Sequence, residues 1–193
     1  MSYKRLVEEW LPLREVNRSS ETEQGFIRVP KLSNLHPWPA RRPYAVARAL
    51  TLASILPAGF SQDLFSEMLG LDRMPDVPYR ILYLVQPDRN RIAKIIIEEL
   101  GKRPEDVLVV DPMAGGGSIP LEALRLGFRT IAMEYNPVAY LILKATLEYP
   151  AKYGMRLYEE VRTEAKRLIE YTKREIARFS IPVSYTHLTL PTN

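Results

Sequence analysis

The chain reads as an α/β protein: a parallel sheet with flanking helices and a helical N-terminal extension. Two observations carry this. Between residues 107 and 149 a β-branched run, a Gly-rich turn, a helical stretch, a second strand-like run and a second helical stretch follow one another. That order calls for parallel strands joined by crossover helices. Ahead of residue 101 the apolar spacing is helical and is punctuated by Pro12, Pro30, Pro37, Pro39, Pro43 and Pro57.

Taken in order, Tyr3–Leu11 is expected as a short amphipathic helix ended by Pro12. Glu15–Pro43 is expected to be irregular, because its prolines forbid a long helix. Tyr44–Leu56 is a strongly apolar helix stopped by Pro57 and Gly59. Gln62–Gly70 forms a short helix with Gly70 as its C-terminal cap, followed by a loop through Pro75 and Pro78. Asn90–Leu100 is a helix closed by Gly101, and Val107–Asp111 is a buried strand. A turn at Gly115–Ser118 opens a helix through Leu126, Gly127 stops it, and Thr130–Glu134 is the second strand. Pro137 begins a helix running to about Tyr149, before Pro150.

From Met155 to Phe179 a long helix carries Tyr158, Val161, Ala165, Leu168, Thr172 and Ile176 at three- and four-residue spacing, a packing stripe opposite a charged face. Residues 1–100 are therefore expected as an N-terminal helical and irregular segment, and 101–182 as a partial cofactor-binding domain. The tail 183–193, VSYTHLTLPTN after Pro182, carries no charge and no periodicity. It resembles translated read-through of a sequencing adaptor, so it is expected to be non-native and the chain an N-terminal fragment.

Composition removes several classes of function. With 46% hydrophobic and 26% charged residues in 193, the chain is globular and can bury a core. No apolar run is long enough to span a bilayer and no secretory signal opens the chain, so no membrane partner and a cytoplasmic location are expected. There is no Cys, which removes disulfides, thiolate nucleophiles and Cys-ligated zinc. His36 and His187 are the only histidines, too few for a His-based metal cage, so no metal site is expected.

The net charge of +4 is unevenly spread. Between Gln24 and Gln62 there is no acidic residue, while Arg28, Lys31, Arg41, Arg42 and Arg48 all fall inside. Such a run attracts phosphate or carboxylate groups. Trp38 and Tyr44 interleave with it, as aromatic planes do on nucleic-acid surfaces, although Trp38 suits a core equally well.

The chemistry-bearing stretch is 111–136. Asp111-Pro112-Met113-Ala114-Gly115-Gly116-Gly117-Ser118 leaves a strand and enters a helix. Glycines there allow close backbone approach to a ligand, with amides pointing outward. The spacing departs from a nicotinamide fingerprint at Pro120, and the Gly-Lys-Ser/Thr of a phosphate-cradling loop is absent. Glu134, followed by Tyr135 and Asn136, ends the next strand, where an acid can accept from both hydroxyls of a ribose. Asp111 can face an amino group. A ligand with ribose, adenine and an aminoacyl tail but no pyrophosphate fits S-adenosylmethionine. Asp111 and Glu134 are expected at neighbouring strand tips, with Gly115–Gly117 between them and Arg41 and Arg42 approaching the crevice.

The run 111–118 resembles the Asp-Pro-Phe-x-Gly-x-Gly signature of amino-group DNA methyltransferases, and Glu134-Tyr135-Asn136-Pro137 is similar to their second motif. His36-Pro37-Trp38-Pro39-Ala40-Arg41-Arg42-Pro43 resembles their His-Pro-Thr-x-Lys-Pro element. With LPLREVN at 11–17, ARRPYAVARAL at 40–50, DPMAGGGSIPLEALRLG at 111–127 and KATLEYP at 144–150, the chain is similar over residues 3–150 to the adenine-specific DNA methylase family whose longer members carry a zinc ribbon. The resemblance implies a partial Rossmann-like methyltransferase fold that binds S-adenosylmethionine. Residues 111–118, 134–136, Arg41 and Arg42 would be at the cofactor, with DNA as substrate and adenine N6 as target. Met113 stands where the family has Phe, Pro39 breaks its Trp-Trp pair, and zinc-ribbon cysteines are absent.

These enzymes hold the target amine with an Asp/Asn/Ser-Pro-Pro-aromatic loop. The chain contains no Pro-Pro dipeptide, and Asp76-Val77-Pro78-Tyr79, one residue off, is read as a turn. No catalytic residue is assigned. The chain by itself is expected to bind the cofactor weakly and to methylate nothing. An RNA methyltransferase and a non-catalytic nucleic-acid-binding or scaffolding fragment remain open alternatives.

Overall fold

The computed structural model describes residues 4–25, 32, 36–74 and 81–179. Asp76-Val77-Pro78-Tyr79, Arg28, Lys31 and the tail from Pro182 lie outside these. The chain divides into two compact units, Met1–Glu148 and Tyr149–Asn193.

The expected N-terminal helix is a single 3-10 turn, Leu6–Glu8. Arg5 is extended and bridges Pro57, and the Leu6 N–H donates to Leu56 O at 3.0 Å, so this backbone is bonded to a distant segment rather than coiled on itself. The stretch expected to be irregular holds α1, Leu13–Gln24. Pro12 is its N-cap and not a terminator, which suits a residue whose missing N–H is no loss at a helix start. Its buried face is Val16, Ser19, Ser20 and Glu23, helical in spacing but polar in chemistry, so apolar periodicity does not reveal it.

α2, Tyr44–Ile55, is buried nearly all round, as an apolar helix must be. Pro43 offers no capping side chain; instead the Glu23 carboxylate accepts the Tyr44 N–H at 3.0 and 3.1 Å, tying the end of α1 to the start of α2. α3, Gln62–Leu69, ends at Gly70 with φ +86°, and α4, Arg89–Leu100, is capped by Asp88 and ends at Gly101. These helices enclose a core containing Leu52, Phe65, Leu69, Ile92, Ile96 and Leu126.

β1, Leu108–Asp111, pairs in parallel with β2, Arg129–Ala132, from Leu108↔Arg129 to Asp111↔Ala132, with α5, Ser118–Leu126, as the crossover. The fold is thus mixed α/β with a two-stranded parallel sheet and flanking helices. The strand expected to be buried is covered on one face only. Val109 packs toward the core, while Leu108 and Val110 on the other face are 48% and 50% exposed. Ile131 and Met133 share that open face.

α6, Pro137–Leu143, has Asn136 as its N-cap, accepting from Val138 and Ala139, and Pro137 in its first turn. It passes into a π-helical turn, Lys144–Glu148. Leu143 and Leu147 pack with Ala114 beneath the Gly-rich loop.

In the second unit α7 spans Tyr149–Tyr153, so Pro150 sits in a first turn where it is tolerated, instead of stopping the helix. α8, Met155–Ala177, is laced with ion pairs such as Arg156–Glu160 and Arg167–Glu164. No residue of α8 is buried: its apolar stripe is laid out as read but is uncovered. No helix among the described residues is long and apolar enough to cross a membrane.

Candidate functional site

The end of β1 turns on its own side chain: Asp111 Oδ1 accepts the Met113 N–H at 3.2 Å. Two bonds stitch the turn to β2: Met133 N–H to Asp111 O at 2.9 Å, and Ala114 N–H to Met133 O at 3.0 Å. Glu134, one residue beyond, grips the loop. Its Oε2 accepts the Gly115 N–H at 2.7 Å, and its Oε1 accepts those of Tyr135 and Asn136 at 2.9 and 3.1 Å. These donors, Asn136 first and Gly115 next, hold the Glu134 carboxyl below the usual glutamate value. A carboxylate has about four lone-pair positions; with three in use, Glu134 keeps one for a ligand hydroxyl.

Gly115 and Gly117 are required by the protein itself, and Gly116 is closely covered. At Gly115, with φ +51°, an added Cβ would stand 2.9 Å from the Trp38 indole nitrogen. At Gly116 it would lie 3.1 Å from the Arg41 guanidinium carbon, and at Gly117, with φ +80°, 2.7 Å from Leu143. The segment 38–42 is therefore strapped across the loop. A third contact fixes it there, the Ser118 hydroxyl donating to Arg42 O at 2.6 Å.

Strap and loop enclose a pocket of about 430 Å³. Asp111, Met113, Ala114, Gly115, Gly116, Ser118, Glu134, Asn136 and Arg42 all line it, together with Trp38 and Ile119. Pro112 forms the turn behind it, Gly117 packs on Leu143, and Tyr135 is fully exposed. Arg41 lines a neighbouring cavity of about 250 Å³ with Glu23, Trp38, Arg42, Tyr44 and Tyr83. Tyr44 stacks on Tyr83 at 4.4 Å and receives the Arg41 Nη1–H on its hydroxyl. Burial pushes the Tyr44 hydroxyl up to about 12 despite that guanidinium.

The basic run does not act as one surface. Arg48 is fully buried in α2: its Nε donates to Glu122 Oε2 at 2.6 Å and its Nη1 to Leu69 O at 2.9 Å. Burial lowers its pKa, and Glu122 works against that. Glu122 also takes Arg125, which in turn donates to Tyr83 O at 2.8 Å. This cluster joins α2 to α5, the helix that carries the Gly-rich loop. Sequence reasoning missed it; the available signal was charge inside two apolar stretches, Arg48 in YAVARALTLASI and Glu122 with Arg125 in SIPLEALRL.

A family model described as "Protein of unknown function (DUF1156)" matches residues 10–72. That stretch holds α1 to α3, the strap and Arg48, and stops short of the Gly-rich loop. No curated protein and no solved structure matches the chain.

Proposed function

We propose that this chain is the cofactor-binding part of an S-adenosylmethionine-dependent methyltransferase that acts on the exocyclic N6 amine of adenine in DNA. Its β1–β2 pair is then part of a Rossmann-like methyltransferase sheet. One observation carries the reading: the Asp-Pro-Met-Ala-Gly-Gly-Gly-Ser loop and Glu134, at the ends of two neighbouring parallel strands, line a single pocket.

The residues present suit the ligand. About 430 Å³ is within the range of sites for molecules of this size. Glu134 has its remaining acceptor position for a ribose hydroxyl, and Asp111 keeps Oδ2 for a positive amino group while Oδ1 holds Met113. Met113, 84% exposed at the pocket wall, offers an apolar contact in place of the family's Phe. When bound, the cofactor supplies an electrophilic methyl group on a sulfonium. The protein's part, on this reading, is to hold the ends of that molecule so that the methyl is presented. With no Pro-Pro dipeptide in the 193 residues, none of them is assigned to holding the target amine.

Calorimetry tests the reading. Titration with S-adenosylmethionine should give weak, saturable heat that Asp111→Ala abolishes. Heat that is absent in the wild type, or unchanged in the variant, would reject it.

A further inference from the structure

Arg41 is sealed on the Gly-rich loop in an unfavourable state. Its Nη1 donates to the Tyr44 hydroxyl, and its guanidinium carbon lies 5.9 Å from the centre of the Tyr44 ring. Its Nε and Nη2 are closed off from solvent and have no hydrogen-bond partner among the described residues. The same two atoms face Gly116, where an added Cβ would stand 3.1 and 3.2 Å from them. Buried donors without acceptors are unfavourable, and those of a charged group most of all.

Other contacts hold the strap down against this. The Trp38 indole lies on Gly115, and the Ser118 hydroxyl donates to Arg42 O at 2.6 Å. The Arg41 N–H donates to Trp38 O at 3.2 Å, which makes 38–41 one turn that moves as a piece. Just beyond it the chain is fixed, because Glu23 holds the Tyr44 N–H at the start of α2. Lifting the turn returns Nε and Nη2 to water and gives up the indole contact and the Ser118 bond. The opposing terms leave a shut and a lifted state close in free energy.

Trp38, Ala40 and Arg42 form one wall of the pocket that Asp111 and Glu134 also line. We propose that residues 38–42 are a lid on that pocket, held shut by Trp38 and Ser118 and loosened by the stranded donors of Arg41. Lifted, the lid takes that wall away and lets the ligand exchange; shut, it completes the wall around it. That the ligand is S-adenosylmethionine rests on the function proposed above, whereas the two-state lid does not.

Fluorine NMR of the protein carrying 5-fluorotryptophan tests the lid without any ligand. Trp38→Phe assigns the Trp38 line, and Trp10, the only other tryptophan, packs edge-on to Phe65 and serves as reference. Ser118→Ala removes the tie to Arg42 and should raise the ratio of lifted to shut at least threefold, which fixes the direction of opening. Arg41→Met removes the stranded charge and should lower that ratio at least threefold, with circular dichroism unchanged. Arg41→Gln should move it the same way and carries the sign if the methionine variant fails to fold. A guanidinium that merely anchored the strap would give the opposite sign. Saturating S-adenosylmethionine should also lower the ratio in the wild type. Movement of an Arg41 variant in the Ser118→Ala direction, or a Trp38 line that none of these variants shifts, would overturn the lid. So would S-adenosylmethionine that binds by calorimetry yet leaves the ratio unchanged. S-adenosylmethionine that does not bind counts against the cofactor reading alone, because the variant shifts are read in its absence.

Discussion

The pyrrole edge of Trp38 rests on Gly115, with the indole nitrogen 2.9 Å from the point where a Cβ on residue 115 would stand. Gly115 also has φ +51°, which L side chains rarely adopt. Gly115→Ala should therefore destabilise twice over, through backbone strain of about 1–3 kcal/mol and through displacement of the indole. Denaturant melts of Gly115→Ala, Trp38→Ala and the double variant separate the two terms. The double variant should lose less than the sum of the singles, because removing the ring removes the clash and leaves the strain. Strict additivity would mean that strap and loop are not in contact.

Arg48 and Glu122 set a second expectation. Both side chains are fully buried and 2.6 Å apart, so removing either breaks a buried pair; without Arg48, Glu122 keeps only Arg125. Arg48→Met should lower stability by about 3–5 kcal/mol. Glu122→Gln should be worse, since it strands Arg48 and Arg125 together. Arg48→Met combined with Glu122→Leu and Arg125→Met removes all three charges and should recover much of the Arg48→Met loss, because an apolar cluster needs no compensation. Chemical denaturation measures all three.

Glu134 gives the site an acid-sensitive element. Its folded pKa lies below the ordinary 4.5, chiefly through the N–H groups of Asn136 and Gly115. Its contribution is therefore complete above the unfolded value. It is lost as pH falls below about 4.5 and through the depressed folded value. A carboxyl-carbon NMR titration should place the Glu134 midpoint below 4.5, with the Gly115 amide resonance moving in the same step. In Glu134→Gln that step at Gly115 should vanish.

Helix ends were legible where a glycine marked them, whereas Pro12 and Pro150, read as stops, stand at helix starts. Gly70, Gly101 and Gly127 all have positive φ where a helix stops, and the β1–α5–β2 order follows from β-branched runs around a Gly-rich turn. α1 was not legible, because its buried face is Val16, Ser19, Ser20 and Glu23, a stripe that shows no apolar period. The loop residues could be read as one site from their spacing, but their internal duties could not. That Glu134 spends its carboxylate on Gly115, 19 residues away, is a backbone contact that spacing does not show, and that Trp38 and Arg41 lie on Gly115 and Gly116 depends on segments about 75 residues apart meeting in space. Arg48 was misplaced for the same reason: in the sequence it belongs to a basic run, and its counter-ion Glu122 lies on another helix.

The most direct test of the central claim is a ¹⁵N-correlated NMR titration with S-adenosylmethionine, which registers weak binding as well as tight. The account expects concentration-dependent shifts at Gly115, Gly116, Glu134 and Asn136 and at the Trp38 indole N–H, with α4 and α8 unmoved. No shift at millimolar cofactor, or shifts centred away from the β1–α5 loop, would contradict it.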